Sequence, residues 1–298
     1  MAPWNVNHAA VVLVCTAACV LAGVAVLSRR KKQRPRVFLR GADVWQQVQL
    51  QSKRTLTHNT REFVFVFPEN VPFGLPVGRH IQIRHGTDKK CVRSYTPVEC
   101  GNGYFKLVAK IYEQGEMTQF LDALSEGDKI TLRGPTGRHE YLGEGTFGIA
   151  GRKQDTLLHA SRFALISGGT GLTPMLQVIY DVLKRRAEGS DKEPKLSLLQ
   201  AHSTPKDVIL REDMEALQDD ESNDVEVVLT ASRFDSEEEH KVWPHAEGRI
   251  SAEMLQPLVQ GHNDDTLALV CGPPGFVKAA KHALLEELKM PRNRVLVF

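Results

Sequence analysis

A chain of 298 residues exceeds one typical domain, so two domains are expected. The formal net charge of +2 is near neutral and makes no case for a nucleic-acid partner. Five scattered cysteines (Cys15, Cys19, Cys91, Cys100, Cys271), with no C-x-x-C pair, argue against a disulfide framework, a structural zinc site and covalent haem, and suit a reducing compartment.

Ala9–Leu27 is an uncharged run of apolar and small residues. As a helix it would be about 28 Å long, enough for the hydrocarbon core of a bilayer. Arg29-Arg30-Lys31-Lys32, Arg34 and Arg36 follow at once. A secretory signal carries its positive charge before the apolar run, so this order predicts a retained N-terminal anchor with the body of the chain in the cytosol. The endoplasmic reticulum and the mitochondrial outer membrane are both open.

From Val44 to about Gly134 the signals are short and strand-like: Val44–Leu50, Glu62–Phe67, His80–Arg84, Tyr104–Tyr112 and Lys129–Leu132, separated by turn residues. Regular short strands predict a small antiparallel β-barrel. One helix, Met117–Leu124, interrupts it, with Phe120, Leu121 and Leu124 on one face. Residues 143–160 are polar and glycine-containing and read as a linker between a domain at 40–142 and one at 161–298. In the second, strands Phe163–Ser167, Lys195–Ala201, Val225–Thr230, Leu267–Cys271 and Val295–Phe298 alternate with helices Thr173–Arg186, Leu210–Leu217, Ser251–Leu258 and Gly275–Lys289. That alternation predicts an α/β domain whose parallel sheet binds ligands at the carboxyl ends of its strands.

Three stretches carry chemistry. In Leu165–Met175 an apolar strand stops at Ser167-Gly168-Gly169-Thr170-Gly171 and a helix follows, with Thr173 as its expected cap and Pro174 in its first turn. Strand, glycine turn and helix N-terminus together aim backbone N–H groups at a phosphate. In Arg93-Ser94-Tyr95-Thr96-Pro97, the arginine can fork onto a diphosphate. Tyr95 shares its strand face and can lie against an aromatic ring, and the Thr96 hydroxyl can bond a ring atom. Cys271-Gly272-Pro273-Pro274 follows a buried-looking strand at its carboxyl end. His80, His85, His139 and His202 show no metal spacing and read as surface or packing residues.

R-x-Y-T-P, G-x-M-T at Gly115–Thr118, R-G-P-x-G at Arg133–Gly137, G-G-T-G-x-T-P at Gly168–Pro174, C-G-P-P at Cys271–Pro274 and the terminal V-x-V-F occur in this order. From Val44 to Phe298 the chain thereby resembles the NADH–cytochrome b5 reductase family, within the ferredoxin–NADP⁺ reductase-like flavoproteins. The resemblance implies an FAD-binding barrel and a Rossmann-like NAD(P)H domain, with hydride passing from NADH to FAD and single electrons on to cytochrome b5. It implies that Arg93 binds the FAD diphosphate and that Tyr95 and Thr96 meet the isoalloxazine. Gly115, Met117 and Thr118 would offer N–H groups, and Ser94, Val108 and Glu116 join the same cofactor-binding set. Thr173 and Pro174 would approach from the second domain. Gly168, Gly169, Thr170 and Gly171 would face the dinucleotide, while Lys110, Cys271, Gly272, Pro273 and Pro274 would lie near the nicotinamide. No side chain need act as acid or base. The implied enzyme is a monomer, anchored in a membrane, and Lys89 and Lys90 are candidates for steering an acidic haem protein.

Two positions depart from the family pattern. Glu116 stands where a lysine is common, so either it points to solvent or FAD is held by fewer positive contacts. Ser232, followed by Arg233, stands where NADH-preferring members carry an aspartate; serine beside arginine implies that NADPH is accepted too. Another haem protein or a quinone as acceptor, or a non-enzymatic dinucleotide-binding scaffold, are the alternatives.

Overall fold

Alternating apolar residues build the first sheet. Its strands are β1 (Gly41–Thr57), β2 (Thr60–Val66), β3 (His80–His85), β4 (Cys91–Tyr95), β5 (Glu99–Cys100), β6 (Tyr104–Lys110) and β7 (Lys129–Thr136). They pair antiparallel in the order β4-β3-β7-β1-β2-β6-β5, a half-barrel with β4 and β5 at its edges instead of a closed barrel. β1 runs well past the predicted 44–50 because register shifts at Leu50/Ser52 and Thr55/Thr57 break its alternation. Phe63 and Phe65 of β2, Ile81 and Ile83 of β3, and Phe105 and Leu107 of β6 point inward and are fully buried. Rings stack across this core, Phe65 to Phe105 at 5.5 Å and Phe73 to Phe105 at 4.7 Å. Helix α1 (Glu116–Ala123) buries Met117 and Leu121 against it.

The computed structural model describes residues 37–86, 91–151, 154–220, 223–259 and 264–298. The stretch expected to anchor the chain, 9–27, and the candidate docking residues Lys89 and Lys90 lie outside the described residues. Among the described residues no helix is long and apolar enough to cross a membrane.

Residues 143–160 are not a bare linker. β8 (His139–Gly143), β9 (Thr146–Ile149) and β10 (Thr156–His159) form a small antiparallel sheet, order β10-β9-β8. Tyr141 and Phe147 face inward and pack on Phe163, while Gly143, Gly145, Gly148 and Gly151 hide the alternation from the sequence pattern.

The second large sheet alternates with helices: β11 (Arg162–Gly168), α2 (Leu172–Ala187), β12 (Lys195–His202), α3 (Arg211–Asp219), β13 (Val225–Ala231), α4 (Glu237–Lys241), β14 (Ala246–Glu247), α5 (Ala252–Val259), β15 (Thr266–Cys271), α6 (Pro274–His282) and β16 (Val295–Val297). All pairings are parallel, in the order β14-β13-β12-β11-β15-β16. Beyond α6 the chain widens into a π-helical turn, Ala283–Glu287, within the stretch expected to be one helix. From β11 the chain steps outward through β12, β13 and β14, then returns to the other side with β15 and β16. The order therefore reverses between β11 and β15, and such a switch point opens a crevice at the carboxyl ends.

The two large sheets share a core. Val108 of β6 belongs to the cluster that holds Leu172, Met175 and Leu196, and Leu56, Val77 and Val98 pack against it. Gln177 of α2 spans the same boundary: its Oε1 accepts from Gly78 N–H at 3.0 Å, and its Nε2 donates to Pro97 O at 3.1 Å. Phe38–Phe298 accordingly forms one compact unit.

Candidate functional site

At the switch point the ends of β11 and β15 come within backbone contact. A methyl group on Gly171 would overlap the carbonyl oxygen of Cys271, and one on Gly272 would press on both Phe276 and the backbone of Gly168. These glycines let two turns touch each other. Gly169 is different: its φ is +54° and nothing lies within 4 Å of where a Cβ would stand. Thr173 is not the cap the sequence suggested. The tight turn Gly169–Gly171 starts the helical path early, Gly171 takes the cap position, and the Thr173 hydroxyl donates to Thr170 O at 3.1 Å.

A cleft of about 950 Å³ opens in front of these turns. The half-barrel supplies Arg93, Ser94, Tyr95, Thr96, Val108 and Lys110, and the loop and start of α1 supply Gly115, Glu116, Met117 and Thr118. The parallel-sheet side supplies Gly168, Thr170, Gly171, Thr173, Pro174 and Cys271–Pro274. A second cavity of about 460 Å³ shares Lys110, Tyr112, Gly168 and Pro273 with it and extends along Gly169, His202, Ser203, Ser232, Gly248, Arg249, Ile250 and Phe276. Arg233 lines neither cavity; its side chain is exposed and its backbone N–H donates to Ser203 O at 3.0 Å.

The donor set fits a diphosphate. Helix α1 has Gly115 at its N-cap and no side-chain cap, so the first-turn N–H groups are free to meet an anion at the cleft. Arg93 spends one donor on Val92 O at 2.9 Å and has no ion pair among the described residues, which leaves its fork open. Glu116 is solvent-exposed. It lines the cleft beside Cys91, whose thiol is pushed up by burial and then by that carboxylate. Burial also raises the Tyr95 phenol, so Tyr95 stays neutral and keeps its proton to donate.

Lys110, at the junction of both cavities, is tied across the boundary. Its Nζ lies 2.7 Å from Asp207 Oδ1, and the two side chains are 19% and 7% exposed. Asp207 also accepts from Asn59 Nδ2 at 3.1 Å and from the Thr204 hydroxyl at 2.9 Å. Burial pushes the Asp207 carboxyl up, but the hydrogen bonds from Lys110, Asn59 and Thr204, with the lysine's charge, outweigh it and hold the group well below the usual carboxylate range. Cys271 is pushed up to about 11 by burial and is a neutral thiol in this cleft.

Sequence reasoning left out Tyr112, Gln114, Asp207, Ser203, Arg249 and Phe276, which stand outside the recognisable motifs. It also treated His80 and His202 as surface or packing residues, yet both line the cavities. Burial lowers both histidines, His202 to about 4, so each is neutral near pH 7. Buried Gln200 donates through Nε2 to Ile209 O at 2.9 Å and lies 2.7 Å from His202 Nε2.

Comparison with known proteins places this architecture. A family described as oxidoreductase FAD-binding domain matches residues 47–141, and one described as oxidoreductase NAD-binding domain matches 165–282. NADH-cytochrome b5 reductase 1 of Homo sapiens is 37% identical over 285 residues, covering 90% of each chain. NADH-cytochrome b5 reductase 2 of Mus musculus is 33% identical over 284 residues, 90% of this chain and 99% of that one. The cytochrome b5 reductase domain of Ulva prolifera nitrate reductase superposes with a TM-score of 0.76 at 29% identity, covering 88% of this chain and all of that one. The chain is an FAD- and NADH-dependent oxidoreductase, and it belongs to the NADH–cytochrome b5 reductase family.

Proposed function

We propose that this protein is a membrane-anchored reductase that oxidises NADH and passes electrons singly to cytochrome b5. The observation that carries the reading is the convergence on one cleft of β4, the uncapped start of α1 and both turns at the switch point. Held there by Arg93 and the start of α1, FAD would supply the chemistry that links two-electron hydride uptake to one-electron release.

The chain's own residues then bind, orient and exclude water. Arg93 and the first-turn N–H groups of Glu116, Met117 and Thr118 hold the diphosphate. Tyr95, as a neutral phenol, and Thr96 meet the ring system. Thr173, 7% exposed, and Pro174 close the opposite wall. The second cavity takes the adenosine end of NADH, and Lys110, at the junction, guides the nicotinamide end toward Cys271. A neutral Cys271 offers a soft, uncharged surface and does not compete as a nucleophile. The site needs proximity of two rings, not an acid–base pair. The apolar run 9–27 and the basic residues after it support the anchor and a cytosolic body. Relatives named for cytochrome b5 support that acceptor. We take the protein to act as a monomer at the endoplasmic reticulum or mitochondrial outer membrane.

The test is anaerobic titration of the full chain in detergent. NADH should bleach a flavin absorbance band, and added cytochrome b5 should restore it while its haem is reduced. In Arg93→Ala the purified protein should hold less than a third of the wild-type FAD. A preparation that stays colourless with added FAD, or is not bleached by NADH, would contradict the reading.

A further inference from the structure

The outer face of the half-barrel carries a feature that neither cavity uses. On β3, Ile81 and Ile83 turn inward and Gln82 and Arg84 outward; on β7, Ile130 and Leu132 turn inward and Lys129, Thr131 and Arg133 outward. Trp45 of β1, half-buried, meets both arginines: the guanidinium carbons of Arg84 and Arg133 each stand 4.7 Å from its ring centroid. The Arg133 Nε–H donates to Gln82 Oε1 at 2.9 Å, which fixes the plane of that guanidinium. Among the described residues Arg84 makes no hydrogen bond, and neither arginine has an ion pair. Asp43, two residues before Trp45, is exposed and pairs with neither, and Asp128 accepts from the Ser125 N–H at 2.8 Å. An indole attracts each guanidinium through its π face, but two cations at one ring repel each other. An anion that bridges the two forks completes the arrangement.

The chain enters the fold at the same corner. Phe38 and Leu39 are buried, and their N–H groups donate to Pro72 O at 2.8 Å and Phe73 O at 3.0 Å. Gln46, next to Trp45, grips this entry: its Nε2 donates to Phe38 O at 2.7 Å, and its Oε1 accepts from Arg40 N–H at 3.2 Å. Ten residues, 28–37, separate the apolar run from Phe38, and six of them are basic. Fully extended, such a stretch spans at most about 36 Å. A bilayer that holds 9–27 therefore lies within that reach of Phe38. Tryptophan favours the membrane–water interface, and arginine takes phosphate as a fork.

We infer that Trp45, Arg84 and Arg133 form a docking face for the anionic phospholipid headgroups of the membrane that holds the anchor. The inference rests on the proposed reading of 9–27 as that anchor. The two arginines take lipid phosphates, exposed Lys129 adds attraction to the negative surface, and Trp45 enters the headgroup layer. The face holds the body in one orientation instead of leaving it to swing on its tether. An acidic protein would also match the charge, but the seating of the chain's entry beside Trp45 favours lipid.

The experiment uses the full chain reconstituted in vesicles whose acyl chains carry bromine near the glycerol. One set is phosphatidylcholine alone, and the other contains about three-tenths phosphatidylserine. The emission of Trp45 is the difference between wild type and Trp45→Phe, which subtracts Trp4 and Trp243. Bromine should quench that difference at least twofold more in the phosphatidylserine vesicles, and high salt should relieve the excess. Arg84→Glu should abolish the excess and Arg84→Gln should fall between. Both variants should still float with the vesicles, and in detergent both should reduce ferricyanide with NADH within twofold of wild type. Equal quenching in the two lipids, or an Arg84→Glu protein quenched like wild type, would overturn the docking face while flotation still upholds the anchor. A tenfold slower reduction of soluble cytochrome b5 by Arg84→Glu in detergent would assign the face to an acidic protein and overturn it as well. If the wild type does not float, the anchor reading fails and the docking face with it.

Discussion

The Lys110–Asp207 pair shows how one contact can serve both binding and stability. A carboxylate that is 7% exposed is stable only if its charge is matched, and here a lysine and the donors of Asn59 and Thr204 match it. Because the folded state holds this group below its ordinary value, the stabilisation is complete above the unfolded pKa of about 3.9 and is lost as pH falls through the lower folded value. Asp207→Asn should therefore destabilise the protein by about 2 kcal/mol at neutral pH, less than for a fully buried pair because Lys110 can still reach water. The difference from wild type should shrink below about pH 4. Urea unfolding at a series of pH values checks both statements; a difference that stays constant down to pH 3 would disprove the link to the carboxylate.

At the scale of elements, the turns after β11 and β15 are built against each other. Gly171→Ala places a methyl group on the Cys271 carbonyl, and rigid backbone leaves no flexible neighbour to yield. It should cost about 3 kcal/mol and separate the turns that shape the cleft. Gly169→Ala meets open space and suffers only its left-handed φ, a cost of about 1 kcal/mol. Denaturant unfolding of the two variants ranks them, and equal losses would refute the packing account. This contrast also shows what the sequence could convey. The strand–glycine–helix order was legible, because periodicity and glycine are local. That Gly171 and Gly272 serve each other was not, since a hundred residues separate them. Short strands followed the same rule. β2, β3 and β6 alternate cleanly and were legible. β8, β9 and β10 are broken by glycines, and β5 and β14 are two residues long, so no period exists to detect. Among site residues, Arg93 and Cys271 stand in motifs, whereas Asp207 and Arg249 acquire meaning only from neighbours that folding supplies.

For the whole molecule, the sheets are joined by apolar packing, by the two hydrogen bonds of Gln177 and by the contacts of Lys110 and Asn59 with Asp207, beyond their chain connection. Val108, Val98 and Val77 would be bared if the halves parted. Phe38–Phe298 should therefore unfold as one cooperative unit, with a calorimetric enthalpy equal to the van't Hoff value. Two resolved transitions would show that the shared core is too weak to couple the halves. The neutral thiol of Cys271 has a consequence for durability. With its pKa pushed up to about 11, only about one molecule in ten thousand carries a thiolate at pH 7. Peroxides and alkylating electrophiles attack the thiolate, so the thiol that lines the working cleft is chemically quiet. An enzyme that handles electrons close to oxygen is thereby spared self-inflicted oxidation at its own site.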